Sequence, residues 1–160
     1  MHIFSALTLI AELGVALAGF GGVAIAVGGH AREYAPTERL RILTFFSLAA
    51  LCVAGSLLCI VLLVAGISES TTWRAASIFL TTAEAGLLAS LIPRTLRSVR
   101  DPEASTGLRW AAFAATVMLT AIGAAAINVF HATAWLVLAV LCLNLLLSLT
   151  VFLRFLLSRN

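Results

Sequence analysis

Long runs of apolar residues dominate the chain, and four short polar segments separate them. A helix needs about 20 mostly apolar residues to cross the hydrocarbon core of a bilayer. Five runs reach or approach that length. The sequence therefore predicts an all-α integral membrane protein, a compact bundle of five transmembrane helices over approximately residues 3–28, 42–67, 72–92, 110–127 and 134–157.

The segment between the last two runs is short and uncharged, so these runs could be read as a single helix. Together they are too long for one crossing of the bilayer. Asn128 and His131 supply polar groups at the point where a turn is needed. We therefore predict a turn there and count five helices.

The positions of the basic residues predict an orientation. All ten are arginines, and cytoplasmic loops of membrane proteins carry an excess of Lys and Arg. With five helices, every arginine except Arg74 falls on the side that holds the first connection, the third connection and the C-terminus. We therefore predict the N-terminus outside and the C-terminus inside, in a bacterial inner (plasma) membrane.

Composition supports one transmembrane domain over residues 1–160. The chain is 62% hydrophobic and 11% charged, with a mean hydropathy of +1.11. Soluble domains carry about a quarter of charged residues, so this chain is not a soluble domain and has no length left for one. The net charge of +3 lies beside apolar runs, which favours membrane lipid over nucleic acid as the partner.

Two of the apolar runs contain a carboxyl group near their middle. Glu12 lies roughly 14 Å along the first helix from Ile3, and Glu84 lies roughly 16 Å along the third helix from Trp73. Both lie in the pattern Ala-Glu-x-Gly. Because both helices run in the same direction in the predicted topology, we expect the two carboxyl groups at similar depth.

Hydroxyl side chains precede each glutamate at helical spacing. Ser5 and Thr8 share a face with Glu12, and Ser77 and Thr81 share a face with Glu84. The fifth helix adds an amide, Asn144. These seven residues form the predicted proton- or cation-binding site, open toward the outside: Ser5, Thr8, Glu12, Ser77, Thr81, Glu84 and Asn144.

Two interpretations of the buried carboxyl groups stay open. A charged carboxylate at the bilayer centre costs several kcal/mol, and no arginine lies at that depth to pair with it. Such a group can exchange a proton or bind a cation, which predicts proton- or cation-linked transport or conduction. Alternatively, a protonated glutamate can bond a neighbouring helix, for example through Asn144, and the chain is then a non-catalytic accessory or assembly subunit of a larger membrane complex.

One resemblance bears on Glu12. The segment at residues 9–17, LIAELGVAL, resembles the first helix of the small multidrug resistance transporters. The membrane-embedded glutamate of that family alternately binds protons and cationic drugs, and the resemblance implies similar chemistry at Glu12. It covers one helix of five, and the four-helix family has no counterpart of Glu84.

The first helix also carries small residues at four-residue spacing: Gly14, Ala18, Gly22 and Ala26. Small side chains let membrane helices approach closely. We therefore expect this face to pack against a helix of the same bundle, of a second copy or of a larger complex.

A basic stripe follows the third helix, where Arg94, Arg97 and Arg100 recur every three residues. We predict contact with anionic lipid headgroups, with docking of an acidic partner as the alternative.

The sequence offers no catalytic, metal or cofactor site. Cys52, Cys59 and Cys142 lie inside apolar runs without ligands beside them, which is typical of small apolar filler. The three histidines do not lie at matching depth for a haem, and no nucleophile has a base within reach. We therefore expect neither an enzyme nor a bound cofactor.

Overall fold

The computed structural model describes residues 2–28, 36–98 and 105–157, and the side chains of residues 2–26, 38–93 and 109–157. Within these ranges the chain forms long α-helices joined by short connections. They are α1 (His2–Gly28), α2 (Pro36–Val64), α3 (Glu69–Ser98), α4 (Ser105–His131) and α5 (Ala134–Leu157). The prediction of an all-α chain with five long apolar helices is confirmed.

Each helix contains a segment long and apolar enough to cross a membrane, as expected of a multi-pass membrane protein. The mean hydropathy of these segments lies between 1.6 and 2.7, and α3 has the lowest value. α3 also continues through Pro93 to Ser98, beyond the predicted end at residue 92. A proline removes one helical hydrogen bond, and near the end of a span this does not stop the helix.

The connection between α2 and α3 is fixed by two local caps. Gly66 adopts a positive φ of 78°, which glycine tolerates, and the Ile67 amide donates to the Leu62 carbonyl at 3.1 Å. Ser68 then caps α3, because its Oγ accepts a hydrogen bond from the Thr71 amide at 3.4 Å. The two helices therefore reverse direction within a few residues.

The predicted turn between α4 and α5 is present and is held by a side chain. Ala132 adopts a positive φ of 52°, and its amide donates to the Asn128 carbonyl at 2.7 Å. The Asn128 Oδ1 accepts from the amide and the hydroxyl of Thr133, at 2.9 Å and 2.7 Å. The Asn128 amide group donates back to the Thr133 carbonyl at 3.0 Å. This ring of bonds closes the turn without a glycine.

The helices are arranged around the pair α2 and α5, which pack along each other. α1 packs against α2 and α5 on one side of this pair. α3 packs against α2 and α4, α4 also packs against α5, and α3 meets α5 over a short stretch. The carboxyl-bearing helices α1 and α3 therefore lie on opposite sides of the bundle.

The small residues of α1 do not act as one ladder. Gly14 is buried against α2, where an added methyl group would lie 2.8 Å from Val53 Cγ2 and 3.2 Å from the Ala49 carbonyl oxygen. A methyl group on Gly21 would overlap the Phe45 ring.

Gly22 has open space around it, Ala18 is half-buried and Ala26 is exposed. Gly22 therefore makes no close contact with the described residues of its own chain, and its packing against a second copy or a larger complex stays a prediction. Four residues turn a helix by about 400°, about 40° more than one whole turn, so a four-residue repeat drifts around the axis. Gly14 and Gly21 are seven residues apart and stay within about 20° of one line.

Candidate functional site

Glu84 lies in the interior of the bundle and is 0% exposed. Its Oε1 accepts a hydrogen bond of 2.5 Å from the side-chain amide of Asn144, which is 1% exposed on α5. Its other oxygen, Oε2, is buried and has no hydrogen-bond partner among the residues that the structure describes. The carboxyl group is therefore held at one oxygen and free to bind at the other.

The Glu84–Asn144 pair separates two apolar clusters of the core. On α3, Leu80 belongs to the first cluster and Leu91 to the second. On α5, Leu141 belongs to the first cluster and Leu147 to the second. The pair thus places a polar layer between two dry layers, at the point where α3 and α5 meet. An interhelical bond of this kind contributes about 1 kcal/mol in a membrane protein.

A second buried polar group lies on the same face of α3, toward its first turn. The Ser77 hydroxyl donates to the Trp73 carbonyl at 2.7 Å and accepts from the Asn128 side-chain amide at 2.9 Å. Ser77 and Asn128 are both 0% exposed. Because Asn128 also holds Thr133, the turn between α4 and α5 is linked through side chains to the interior of α3.

Thr81 lies between Ser77 and Glu84 on this face. Its Oγ1 is buried, and no described residue forms a hydrogen bond with it. Ser77 and Glu84 are about 10 Å apart along the helix axis, and Thr81 divides that distance. Polar groups therefore follow one another from the α4–α5 turn to the middle of the bundle, and we name this set the polar column: Thr133, Asn128, Ser77, Thr81, Glu84 and Asn144.

Four of the predicted site residues belong to the polar column: Ser77, Thr81, Glu84 and Asn144. Asn128 is an addition, since the sequence pattern indicated only its place near a turn. The sequence indicates only that Asn128 lies at the same end of the bundle as Ser77. The contact it makes depends on how α4 is rotated against α3, which the sequence pattern does not specify.

The structure does not bring Glu12 into this site. Glu12, Ser5 and Thr8 all lie on the exposed surface of α1. Gly14 faces α2, and a residue two positions away on a helix lies about 200° around the axis. The close contact at Gly14 therefore turns Glu12 outward, and within one chain the expectation of a shared cavity for Glu12 and Glu84 is not met.

Other polar residues of the spans are also placed by the structure. Thr116 and Thr120 are exposed on α4 and donate to carbonyl groups of their own helix, at 2.9 Å each. Ser148 is buried on α5 and donates to the Phe45 carbonyl of α2 at 3.1 Å. The first two satisfy their hydroxyl groups locally, as is usual for helices in lipid, and Ser148 joins α5 to α2.

The arginines predicted to contact lipid and the cysteines differ in how far the structure describes them. The side chains of Arg94 and Arg97 and the whole of Arg100 lie outside the described residues. The three cysteines are free thiols, two of them buried. Among the described residues, no group of three or more His, Cys, Asp or Glu side chains could hold a metal ion.

Comparisons of the chain with protein-family models, with curated proteins and with solved structures found no match.

The chemistry of the polar column follows from its groups. An apolar interior disfavours a bare carboxylate, so Glu84 is accommodated when it holds a proton or shares its charge with a cation. The free Oε2 and the Thr81 hydroxyl are oxygen ligands of the kind that small hard cations prefer. Asn144 keeps the carboxyl group in place in either state.

Proposed function

We propose that the protein moves protons or small cations across a membrane and that Glu84 is the group that binds them. One observation carries the proposal. A fully buried carboxyl group has one oxygen bound to Asn144, and its other oxygen has no partner in the described part of the chain. Ionisable groups at such depth are expensive, and in membrane proteins they mark ion paths and proton relays.

The polar column supplies a route to Glu84. A proton or cation enters at the α4–α5 turn, where Asn128 and Thr133 lie, and passes Ser77 and Thr81. Because Glu84 is 0% exposed, the described conformation is closed. Transport therefore requires the helices around Glu84 to move apart, and α3 and α5 meet over only a short stretch.

The arginine distribution supports an orientation for this route. In the sequence, nine of the ten arginines fall in or beside the first connection, the third connection and the C-terminal segment, which the predicted topology puts on one side. We therefore place that side in the cytoplasm of a bacterial cell and the entrance of the polar column outside. Labelling of single cysteines introduced at Ser68 and Glu38 tests this, since only the outer position reacts with an impermeant reagent in intact cells.

The test of function is ion flux in vesicles. Purified protein is reconstituted, a pH gradient or a cation gradient is imposed, and flux is followed with a pH-sensitive dye or an ion electrode. Glu84→Gln keeps the shape of the side chain and an acceptor for Asn144 but cannot release a proton. We expect flux to fall by about tenfold or more, a barrier change of at least about 1.4 kcal/mol.

Glu12→Gln is the matched control, because it makes the same change at a similar depth on the exposed face of α1. We expect it to keep most of the flux. An equal loss of flux in both variants would show that both glutamates bind the ion, as in an assembly where Glu12 faces another copy of the chain. No flux in the wild-type protein would remove the proposal.

A second function is favoured by the outer face of α1. Glu12 is exposed near the middle of a span, where contact with lipid is unfavourable for a carboxyl group. A non-catalytic subunit of a larger membrane complex would cover this face with another protein. In that case wild-type vesicles show no flux, and Glu12→Leu reduces recovery of the complex from native membranes while Glu84→Gln leaves it intact.

A further inference from the structure

A groove opens at the end of the bundle where α4 begins and α5 ends. Its volume is about 310 Å³, and its walls are Trp110 on α4 and Thr150, Leu153, Arg154 and Leu157 on α5. Among these lining residues only Arg154 is charged. Leu153 and Leu157 are exposed, so the groove faces the lipid side of the bundle.

The guanidinium group of Arg154 is fixed in this groove. It lies over the Trp110 ring, with the guanidinium carbon 4.4 Å from the ring centroid. Trp110 is itself held edge-on against Phe113, with ring centroids 5.5 Å apart. Stacking on an aromatic ring orients a guanidinium but leaves its N–H groups free to donate.

One donor of Arg154 lacks an acceptor. Its Nη1 is buried and has no hydrogen-bond partner within residues 2–28, 36–98 and 105–157. Buried donors of a charged group are paired in nearly all folded proteins, so this atom calls for an acceptor outside the described chain. Arg154 lines the groove together with Trp110 and Thr150, so an acceptor bound there lies beside the guanidinium group.

The walls and the charge together define the ligand. Leu153, Leu157 and the Trp110 ring are apolar and suit an acyl chain, while the guanidinium fork matches the oxygens of a phosphate. The positive charge of Arg154 at the groove favours a ligand with a net negative charge. We propose that the groove binds the headgroup phosphate of an anionic phospholipid, with its acyl chain along α4 and α5.

The groove is separate from the ion-binding site proposed at Glu84. It lies about 15 Å along α5 from Asn144, ten residues away, and uses none of the polar column. It also differs from the general attraction of a basic surface to lipid, because a single guanidinium group in a defined groove binds the phosphate.

The experiment measures lipid retention and thermal stability of the full chain in mild detergent. Short-chain phosphatidylglycerol and phosphatidylcholine are added in turn, bound lipid is counted by native mass spectrometry, and the melting temperature is recorded. We expect wild type to retain one phosphatidylglycerol and to melt at a higher temperature with it, because binding to the folded state alone stabilises that state. Equal retention of phosphatidylcholine would overturn the proposal.

Arg154→Gln removes the charge and should weaken phosphatidylglycerol binding by about tenfold or more, the effect of losing a hydrogen bond to a charged group. Arg109→Gln is the matched control, because Arg109 precedes Trp110 at the same end and is exposed. It removes the same charge outside the groove and should change the affinity less than twofold. Equal weakening by both variants would reduce the site to general surface charge.

Arg154→Lys covers the case in which the Gln variant does not fold. Lysine keeps the charge and the apolar stem but lacks the planar fork, so we expect intermediate binding. Binding as tight as that of wild type would overturn the role of the guanidinium. A final arm adds inorganic phosphate at matched ionic strength, and stabilisation equal to that by phosphatidylglycerol would show a site for free phosphate instead.

Discussion

Glu84 and Glu12 begin from the same local sequence and end in opposite surroundings. Both follow an alanine and precede a glycine by two residues, and both lie near the middle of a span. Glu84 is fully buried and bound to Asn144, whereas Glu12 lies on the exposed face of α1. The depth of a carboxyl group in a membrane helix therefore does not decide whether it forms a site.

The glycine of each motif explains the difference. In α1, Gly14 is buried and touches α2, and Glu12 points the other way. In α3, Gly86 is exposed with open space around it, and Glu84 points inward. The two motifs are thus rotated by about half a turn relative to the bundle. A glycine makes a close contact only where the neighbouring helix offers a matching shape, as Val53 and Ala49 do for Gly14.

The strongest way to break this comparison is to remove each carboxyl side chain. Glu84→Ala leaves a cavity and an unpaired Asn144 amide in the core, and we expect a loss of about 3 kcal/mol of stability. Glu12→Ala changes an exposed position and should alter the stability little. Unfolding in mixed micelles with increasing SDS measures both. Equal losses would show that Glu12 is also buried, in a contact with another copy of the chain.

The rotation of α1 is tested through its glycines. Gly14→Ala places a methyl group 2.8 Å from Val53 and should destabilise the bundle by about 2 kcal/mol. Gly22→Ala is the matched control, because open space surrounds it and alanine is the better helix former by about 1 kcal/mol. We expect it to be neutral or stabilising in the same unfolding assay. The reverse order would mean that α1 is turned and that Glu12 faces inward.

A double-mutant cycle sharpens the assignment of Glu84 to Asn144. Glu84→Leu and Asn144→Leu each leave one polar group unpaired, while the double variant leaves neither, so the two effects should differ from additivity by about 1 kcal/mol. The same cycle between Glu12→Leu and Asn144→Leu should be additive, because Glu12 lies on the outer face of α1 and Asn144 is buried on α5. The unfolding free energies of wild type, the three single variants and the two double variants decide it. Additivity in both cycles would remove the structural role of the Glu84–Asn144 bond.

Sequence reasoning predicted the number of helices and much of the polar column but not the rotation of α1. Helix number follows from length and apolarity, which a bilayer demands of every span. Rotation does not, because lipid tails are as apolar as a protein core and the two faces of a membrane helix then look alike. A contact between Glu84 and Asn144 could be predicted because each is an isolated polar group in an apolar helix and is more stable when hydrogen-bonded. Glu12 offered the same signal, and only the contact at Gly14 with Val53 shows that it faces outward.

The smallest expected change in stability gives the most selective test of function. Thr81→Val removes a buried hydroxyl that has no hydrogen-bond partner and keeps the shape of the side chain. Replacing an unsatisfied polar group with an apolar one of the same shape should leave the stability equal or raise it by about 0.5 kcal/mol. If the hydroxyl serves as a ligand for the transported ion beside Glu84, flux in vesicles should nevertheless fall severalfold. Thr8→Val, the equivalent change beside Glu12, should leave flux and stability unchanged. A Thr81→Val protein with raised stability and full flux would show that this hydroxyl takes no part in transport, and would confine the site to the carboxyl group of Glu84 and the amide of Asn144.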